Sequence, residues 1–280
     1  MIVRAPAKLN LCLYLGPVRE DGLHELRSLF CPLALSDRIE IRSSDDDSDE
    51  VVCGGVEGPN LAAAALAALR ARGWDGPPLR VEIDKRIPVA AGLGGGSADA
   101  AALLRIADGE VGPLEEVALE LGADVPSQIH PTFALVSGAG ERLEPLPAPG
   151  HFGAVLIPFE AGLRAGDVYA EADRMGLGRS PEELAAIESR LRAAAGEGSS
   201  PIDYAGLLVN DLEPAAKSLR PEIAEALDAL ESSGATAVLV AGSGPTAAGL
   251  YPDIVAADRA AGGLPPRFAN AIVTAPSLRP

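Results

Sequence analysis

The stretch Pro88-Val89-Ala90-Ala91-Gly92-Leu93-Gly94-Gly95-Gly96-Ser97-Ala98 carries the clearest chemical signal in this chain. Gly92, Gly94, Gly95 and Gly96 strip side chains from the backbone, and an alanine-rich helical pattern runs on to Leu104. The N–H groups of such a loop, with the unpaired N–H groups of a helix start, form a cradle for phosphate. Glycine permits positive φ and lets oxygens approach the main chain closely. Ser97 is expected to cap the helix, and Asp99 to sit in its first turn against the dipole. That immediate cap and helix tell against a mere flexible connector. A Walker A loop needs Lys directly after its last glycine, and a dinucleotide fingerprint needs another glycine there; Ser97 holds that position. The expected ligand is therefore a nucleotide or phosphate ester, its charge met by backbone dipoles and a metal ion.

Three further side chains have the right types for chemistry on an alcohol. Lys8 and Asn10 lie two apart in Ala7 to Leu15, where Leu9, Leu11, Leu13 and Leu15 alternate with Lys8, Asn10, Cys12 and Tyr14. This is a strand with one buried and one more polar face, and it sets Lys8 and Asn10 side by side, about 7 Å apart. Asp124 follows a helix stop at Gly122 and precedes Pro126, a place that also suits a helix N-cap. His24 closes a turn-rich segment in Asp21-Gly22-Leu23-His24-Glu25. Taken singly, Lys8 reads as an ordinary surface lysine and His24 as a turn-adjacent polar residue.

The elements that must hold these groups mix both kinds of secondary structure. Extended runs are expected around His24 to Leu35, Asp37 to Arg42, Leu79 to Asp84, Thr132 to Val136 and Gly153 to Ile157. Further ones fall at Ala235 to Val240, Ala247 to Tyr251 and Ala269 to Thr274. Helical patterns cover Asn60 to Arg72, stopped by Gly73, and Leu114 to Leu121. Others lie at Pro181 to Ala195, Tyr204 to Leu212 and Pro221 to Ser233. Asp45 to Glu50 reads as a solvated acidic turn. A second glycine turn, Ala241-Gly242-Ser243-Gly244-Pro245-Thr246, separates two of the expected strands. Such a mixture in both halves implies an α+β or α/β protein of two lobes, divided near the Pro- and Gly-rich Pro145 to Gly150.

Composition narrows the partners. The chain has 280 residues and 48% hydrophobic content, enough for a sizeable core, but only 4% is aromatic, so Ala, Leu and Val must fill it. A formal net charge of -17 argues against nucleic acid and anionic membrane surfaces. Cys12, Cys31 and Cys53 fit no zinc or redox spacing and read as reduced thiols of a cytoplasmic protein. No apolar run approaches the ~20 residues of a membrane helix. Arg4 to Leu15 is not a signal peptide by this reading, since Asn10 interrupts it and no cleavage site follows. Lysine occurs only at Lys8, Lys85 and Lys217, which makes each one easier to interrogate.

Motif order changes the weight of these residues. Pro6-Ala7-Lys8-Leu9-Asn10-Leu11 comes first, then Asp21-Gly22-Leu23-His24-Glu25-Leu26, then the glycine loop. Leu121-Gly122-Ala123-Asp124-Val125-Pro126 and Gly242-Ser243-Gly244-Pro245-Thr246 follow. From Val3 to Thr274 this series resembles the GHMP small-molecule kinases. The resemblance implies an α+β, two-lobed GHMP kinase-like fold. Residues 1–149 would form a ribosomal protein S5 domain 2-like ATP-binding lobe, and residues 150–280 a ferredoxin-like lobe. It implies ATP and Mg2+, with Pro88 to Ala98 on the phosphates. Lys8 and Asp124 correspond to the catalytic pair, and Asn10 and His24 to contacts with a nucleotide-bearing substrate.

Within the family, the Ala-Lys-x-Asn start and the Asp-Gly-x-His-Glu segment are similar to the branch acting on a small-molecule substrate, a cytidine diphosphate-linked methylerythritol. The sequence departs from that branch in two places. Leu23 stands where a Tyr usually stacks on cytosine, and Ser127-Gln128-Ile129-His130-Pro131-Thr132 replaces a more aromatic continuation. Another GHMP kinase, for a sugar, homoserine or a mevalonate-type alcohol, and a catalytically silent nucleotide-binding regulator are the competing readings.

Overall fold

The structure, a computed structural model, describes residues 1–56, 60–196 and 198–277. The chain opens with two long strands, β1 (Ile2–Val18) and β2 (His24–Ser43), which pair with each other. The extended runs expected on either side of Ser36 are thus one strand. It survives the polar pair Ser36-Asp37 because Asp37, fully buried, accepts main-chain hydrogen bonds from Arg86 and Ile87. A short strand, β3 (Glu50–Cys53), follows the acidic turn where no strand was expected. Helix α1 (Leu61–Ala71) begins at Asn60, whose side chain accepts from the Ala62 N–H, and Gly73 follows it at φ +85°. Next come β4 (Leu79–Asp84), α2 (Gly95–Leu104), α3 (Leu114–Leu121) and the five-residue α4 (Val125–Ile129).

The remaining elements begin with β5 (Ala134–Ser137), β6 (Arg142–Pro145) and β7 (Gly153–Ile157). Helices α5 (Ala165–Met175), α6 (Pro181–Ala194), α7 (Glu213–Leu219) and α8 (Glu222–Ser232) come next. Strands β8 (Ala237–Val240) and β9 (Ala247–Tyr251) flank the second glycine turn, followed by α9 (Ile254–Gly262) and β10 (Ile272–Thr274). The helix expected over Tyr204 to Leu212 is instead a 3-10 segment, Pro201–Leu207, kinked at Tyr204. Pro201 opens it and Ser200 caps it, while Asn210 and Asp211 beyond it are taken up by side-chain bonds elsewhere.

Contacts divide the chain into two compact units. One contains Met1–Ala7, Leu35–Val89 and Gly94–Pro131; the other contains Lys8–Ala34, Ala90–Leu93 and the chain from Thr132 onward. In the first, the later part of β2 pairs antiparallel with β4, and β3 pairs parallel with β4. Ile39, Ile41, Val81 and Ile83 from these strands meet Ala62, Leu66, Leu69, Ala101 and Leu104 from α1 and α2 in one apolar core. Alanine on α1 and α2 lets the helices approach closely, so a core poor in aromatics still closes.

In the second unit, the earlier part of β2 pairs with β5, which pairs with β6. A separate antiparallel sheet runs β10-β7-β9-β8. Val155 and Ile157 from that sheet pack with Val168, Leu212, Ile223 and Leu227 from the helices over it. Strands and helices mix in both units, which is the α+β class read from the sequence.

Candidate active site

The N-terminal side of the site lies on β1. Lys8 is only 6% exposed and Asn10 only 3%, so the strand face read as more polar is as buried as its leucine face. A lysine so placed is not the ordinary surface residue its type suggests. Its Nζ donates to Asn10 Oδ1 at 2.6 Å, and Asn10 Nδ2 donates to Ser28 Oγ at 3.0 Å. Ser28 Oγ donates in turn to the Cys12 carbonyl. The ammonium also sits 4.5 Å from the centre of the Phe30 ring, a cation–π contact. This relay fixes the lysine's direction and offsets part of its burial cost.

The glycine loop reaches the same strand through its main chain. The Lys8 N–H donates to the Leu93 carbonyl at 2.9 Å. Within the loop, Ala91 and Leu93 are buried, Pro88 is half-buried, and Val89 and Ala90 are exposed. Gly92 has φ +76°, and a Cβ there would lie 2.2 Å from the Ala241 carbonyl oxygen and 2.9 Å from that of Gly244. The second glycine turn therefore packs directly on Gly92, and only glycine fits between them. Gly242 faces Asn10 Oδ1 in the same way, a Cβ there lying 3.1 Å away.

Helix α2 continues from the loop, but Ser97 does not cap it. Gly94, left-handed at φ +69°, is the N-cap, and Gly95, Gly96, Ser97 and Ala98 form the first turn. The Ala98 N–H donates to the Gly94 carbonyl at 2.9 Å, but with no side-chain cap the N–H groups of Gly95, Gly96 and Ser97 before it keep no intrahelical acceptor, the arrangement that binds an anion. Gly96 is exposed, and a Cβ there would meet nothing nearer than Leu61 Cδ1 at 3.6 Å. The observed cradle therefore fits a phosphate at the helix start.

Asp99 is not in that first turn either. It is buried one turn deeper and accepts from Lys85 Nζ at 2.8 Å, while Lys85 also donates to Asp37 at 2.5 Å. Burial pushes the Asp99 carboxyl up to about 7 against the lowering influence of Lys85. Burial also works against the Lys85 ammonium, but Asp99 and Asp37 outweigh it and hold its proton more firmly than usual.

Asp124 is the N-cap residue of α4 by position, half-buried, with Pro126 in the helix's first turn. Its side chain makes no cap bond, so capping is not its role. Its carbonyl accepts from Ser127 Oγ at 2.7 Å, which fixes the turn. His24 places Nδ1 3.0 Å from the Gly16 carbonyl and Nε2 3.2 Å from Asp173 Oδ1. A carbonyl only accepts, so Nδ1 carries the hydrogen. The Tyr169 ring stands beside it, 5.3 Å between centroids and inclined 30°. Leu23, next along the chain, is 52% exposed.

Ser28, Phe30, Tyr169, Asp173 and the Lys85 pairs escaped the sequence reading. Only Lys85 left a signal, as one of three lysines in an arginine-rich chain. Burial pushes the Cys12 thiol up to about 12 and raises that of Cys31 as well, so neither serves as a nucleophile. Among the described residues no group of His, Cys, Asp and Glu is arranged to hold a metal, and no helix is long and apolar enough to cross a membrane.

Comparison with known proteins places this chain in a family. GHMP kinases N terminal domain matches residues 60–132, and GHMP kinases C terminal matches residues 184–270. The chain belongs to the GHMP kinases. It is 40% identical to a 4-diphosphocytidyl-2-C-methyl-D-erythritol kinase of Streptomyces avermitilis, over 92% of this chain and 90% of that one. A crystal structure of 4-(cytidine 5'-diphospho)-2C-methyl-D-erythritol kinase superposes with a TM-score of 0.77 at 34% identity, covering 99% of this chain and 100% of the other. Homoserine kinase from Cytophaga hutchinsonii shares the fold, with a TM-score of 0.70 at 19% identity over 99% and 94% of the two chains.

Proposed function

We propose that this chain transfers the γ-phosphoryl group of ATP to the 2-hydroxyl of 4-diphosphocytidyl-2-C-methyl-D-erythritol, a step of non-mevalonate isoprenoid biosynthesis, in the cytoplasm. The observation that carries the reading is Lys8, buried at 6% exposure and aimed by Asn10, with the phosphate loop bonded to its own main chain at Leu93. A desolvated ammonium so directed suits an oxygen that gains negative charge.

Phosphoryl transfer asks a protein for position and charge, and little covalent work. Gly94 to Ser97 would hold the phosphates through main-chain N–H groups, with Pro88 to Leu93 shaping the approach and Ala98 closing the first helical turn behind them. ATP, when bound, would supply the transferable group, and the Mg2+ accompanying it would supply part of the countercharge. Asp124 would accept the proton of the acceptor hydroxyl, and Lys8 would hold that hydroxyl and offset its charge. A carboxylate is a weak base, but a loose transition state needs the proton removed only late. Asn10 and His24 are assigned to the nucleotide-bearing substrate. The rings of His24 and Tyr169 offer a base the aromatic face that Leu23 lacks. The two family matches fall on either side of residue 149, in keeping with an ATP-binding half 1–149 and a second half 150–280.

The test is ADP release from MgATP across a panel of alcohols: the cytidine diphosphate-linked methylerythritol, homoserine, mevalonate and galactose. Release with the first alone supports the assignment. Release confined to another alcohol overturns the substrate, and binding without release with any overturns catalysis.

A further inference from the structure

One buried side chain outside the roles given above reaches the second glycine turn from behind. Asn210, 5% exposed, donates both amide hydrogens, to the Val240 and Gly242 carbonyls, each at 2.7 Å. Its Oδ1 accepts from the Leu212 N–H at 2.9 Å. Two carbonyls demand two donors, so Asp at this position would set oxygen against oxygen.

The residues flanking Asn210 are fastened to β1, the strand that carries Lys8 and Asn10. The Leu13 N–H donates to the Val209 carbonyl and the Asp211 N–H donates to the Leu13 carbonyl, both at 2.8 Å. Asp211 also takes the Leu15 N–H at 3.0 Å and a two-pronged bond from Arg179, each arm 2.6 Å. Residues 209–211 are thus a clamp with one jaw on β1 and the other on the turn. What the second jaw holds is Gly242, at φ +57°. A Cβ there would lie 3.1 Å from Asn10 Oδ1, 3.3 Å from the Gly92 carbonyl oxygen and 3.8 Å from Lys8 Nζ.

We propose that Asn210 is a positioning residue for phosphoryl transfer: by gripping the Gly242 carbonyl it sets the second glycine turn against Asn10 and Gly92, and so fixes the direction of the Lys8 ammonium. The proposal rests on the role given to Lys8 above. Asn210 itself touches neither reacting group; it acts through the turn. Serine in its place would keep a polar group but could not reach two carbonyls at once. The turn would then loosen by a local opening while the clamp on β1, which uses main-chain groups and Asp211, stays closed.

Three readouts on Asn210→Ser test this. Competitive acylation of the amines is informative because the chain has only Lys8, Lys85 and Lys217. Acylation of Lys8 is expected to rise about five-fold or more with Lys85 unchanged, together with faster hydrogen exchange confined to peptides spanning 241–246. Turnover is expected to fall about ten- to a hundred-fold with the KM for ATP nearly constant, as for a misplaced group. An unchanged Lys8 rate, or equal rises at Lys8 and Lys85 with exchange raised along the whole chain, overturns the proposal. So does turnover within about two-fold of the parent. Should the serine variant fail to fold, Asn210→Thr, which likewise offers a single hydroxyl donor to the two carbonyls, is read by the same outcomes. Acylation and exchange need no substrate, so they judge Asn210 even if the acceptor assignment fails.

Discussion

Lys85 donates to Asp99 across 2.8 Å and so ties the end of β4 to the second turn of the helix that follows the phosphate loop. Lys85 lies just before the loop, Asp99 just after it, and the buried Asp37 on β2 holds Lys85 from the other side. The loop is thereby spanned at its base by a charge bridge. One Asp99 oxygen, Oδ1, is buried with no hydrogen-bond partner; burial first, and the neighbouring Asp37 after it, raise the carboxyl's proton affinity against the lowering pull of Lys85.

A pH-dependent stability follows. The Asp99 carboxyl has a folded value of about 7 against an ordinary 3.8, so it binds its proton more tightly when folded. Its contribution is fully present below about pH 4 and is lost as pH rises through about 7. The melting temperature of Asp99→Asn relative to the parent is expected to climb between pH 5 and pH 8, because the variant has no proton to lose. Melting curves whose difference stays flat across that window would refute the raised value.

Asp124→Asn is expected to reduce turnover about 100- to 10,000-fold, the range for loss of a general base, while ATP still binds. Lys8→Ala should likewise damage turnover more than ATP affinity, since Lys8 faces the acceptor in this reading. Steady-state rates beside calorimetric ATP titrations check both. Either variant turning over like the parent would remove that residue from catalysis.

The glycines of the loop separate by what surrounds them. Gly92→Ala drives a Cβ to 2.2 Å from the Ala241 carbonyl oxygen at φ +76°, so it should lower the melting temperature and the rate together. Left-handed strain alone costs about 1–3 kcal/mol. Gly96→Ala meets only Leu61 Cδ1 at 3.6 Å and should fold as well as the parent, yet bind ATP more weakly if phosphate uses that open face. Undiminished ATP affinity in a folded Gly96→Ala would move the phosphates elsewhere.

Leu23→Tyr adds a ring at an exposed position next to His24. If a base stacks there, the gain of about 1 kcal/mol or more should lower the KM for the cytidine substrate about five-fold. A KM that is unchanged or higher would tell against a stacking interaction lost at this position.

The parts legible in the sequence were those set by local rules. The φ needs of glycine marked both turns, Asn60 and Gly73 bounded α1, and the period-two leucines marked β1. Local rules failed wherever a partner distant in sequence intervened. Ser97 has the type of an N-cap, but left-handed Gly94 starts the helix first. Asp37 has the type of a strand breaker, yet Arg86 and Ile87 satisfy it and β2 runs on. His24 gave no sign that Gly16, Asp173 and Tyr169 would surround its ring.

From the amino-acid sequence alone came the α+β class and the glycine-rich, phosphate-shaped backbone between Pro88 and Ala98. These follow from residue type and spacing, which act within a few residues of themselves. The tertiary structure decided that Lys8 is buried rather than at the surface, that Asn10 directs it, that Lys85 braces the loop and that Asn210 holds the second turn. Each of those depends on hydrogen bonds whose partners lie outside the local window, and their worth comes from exclusion of water, which only the packed chain provides.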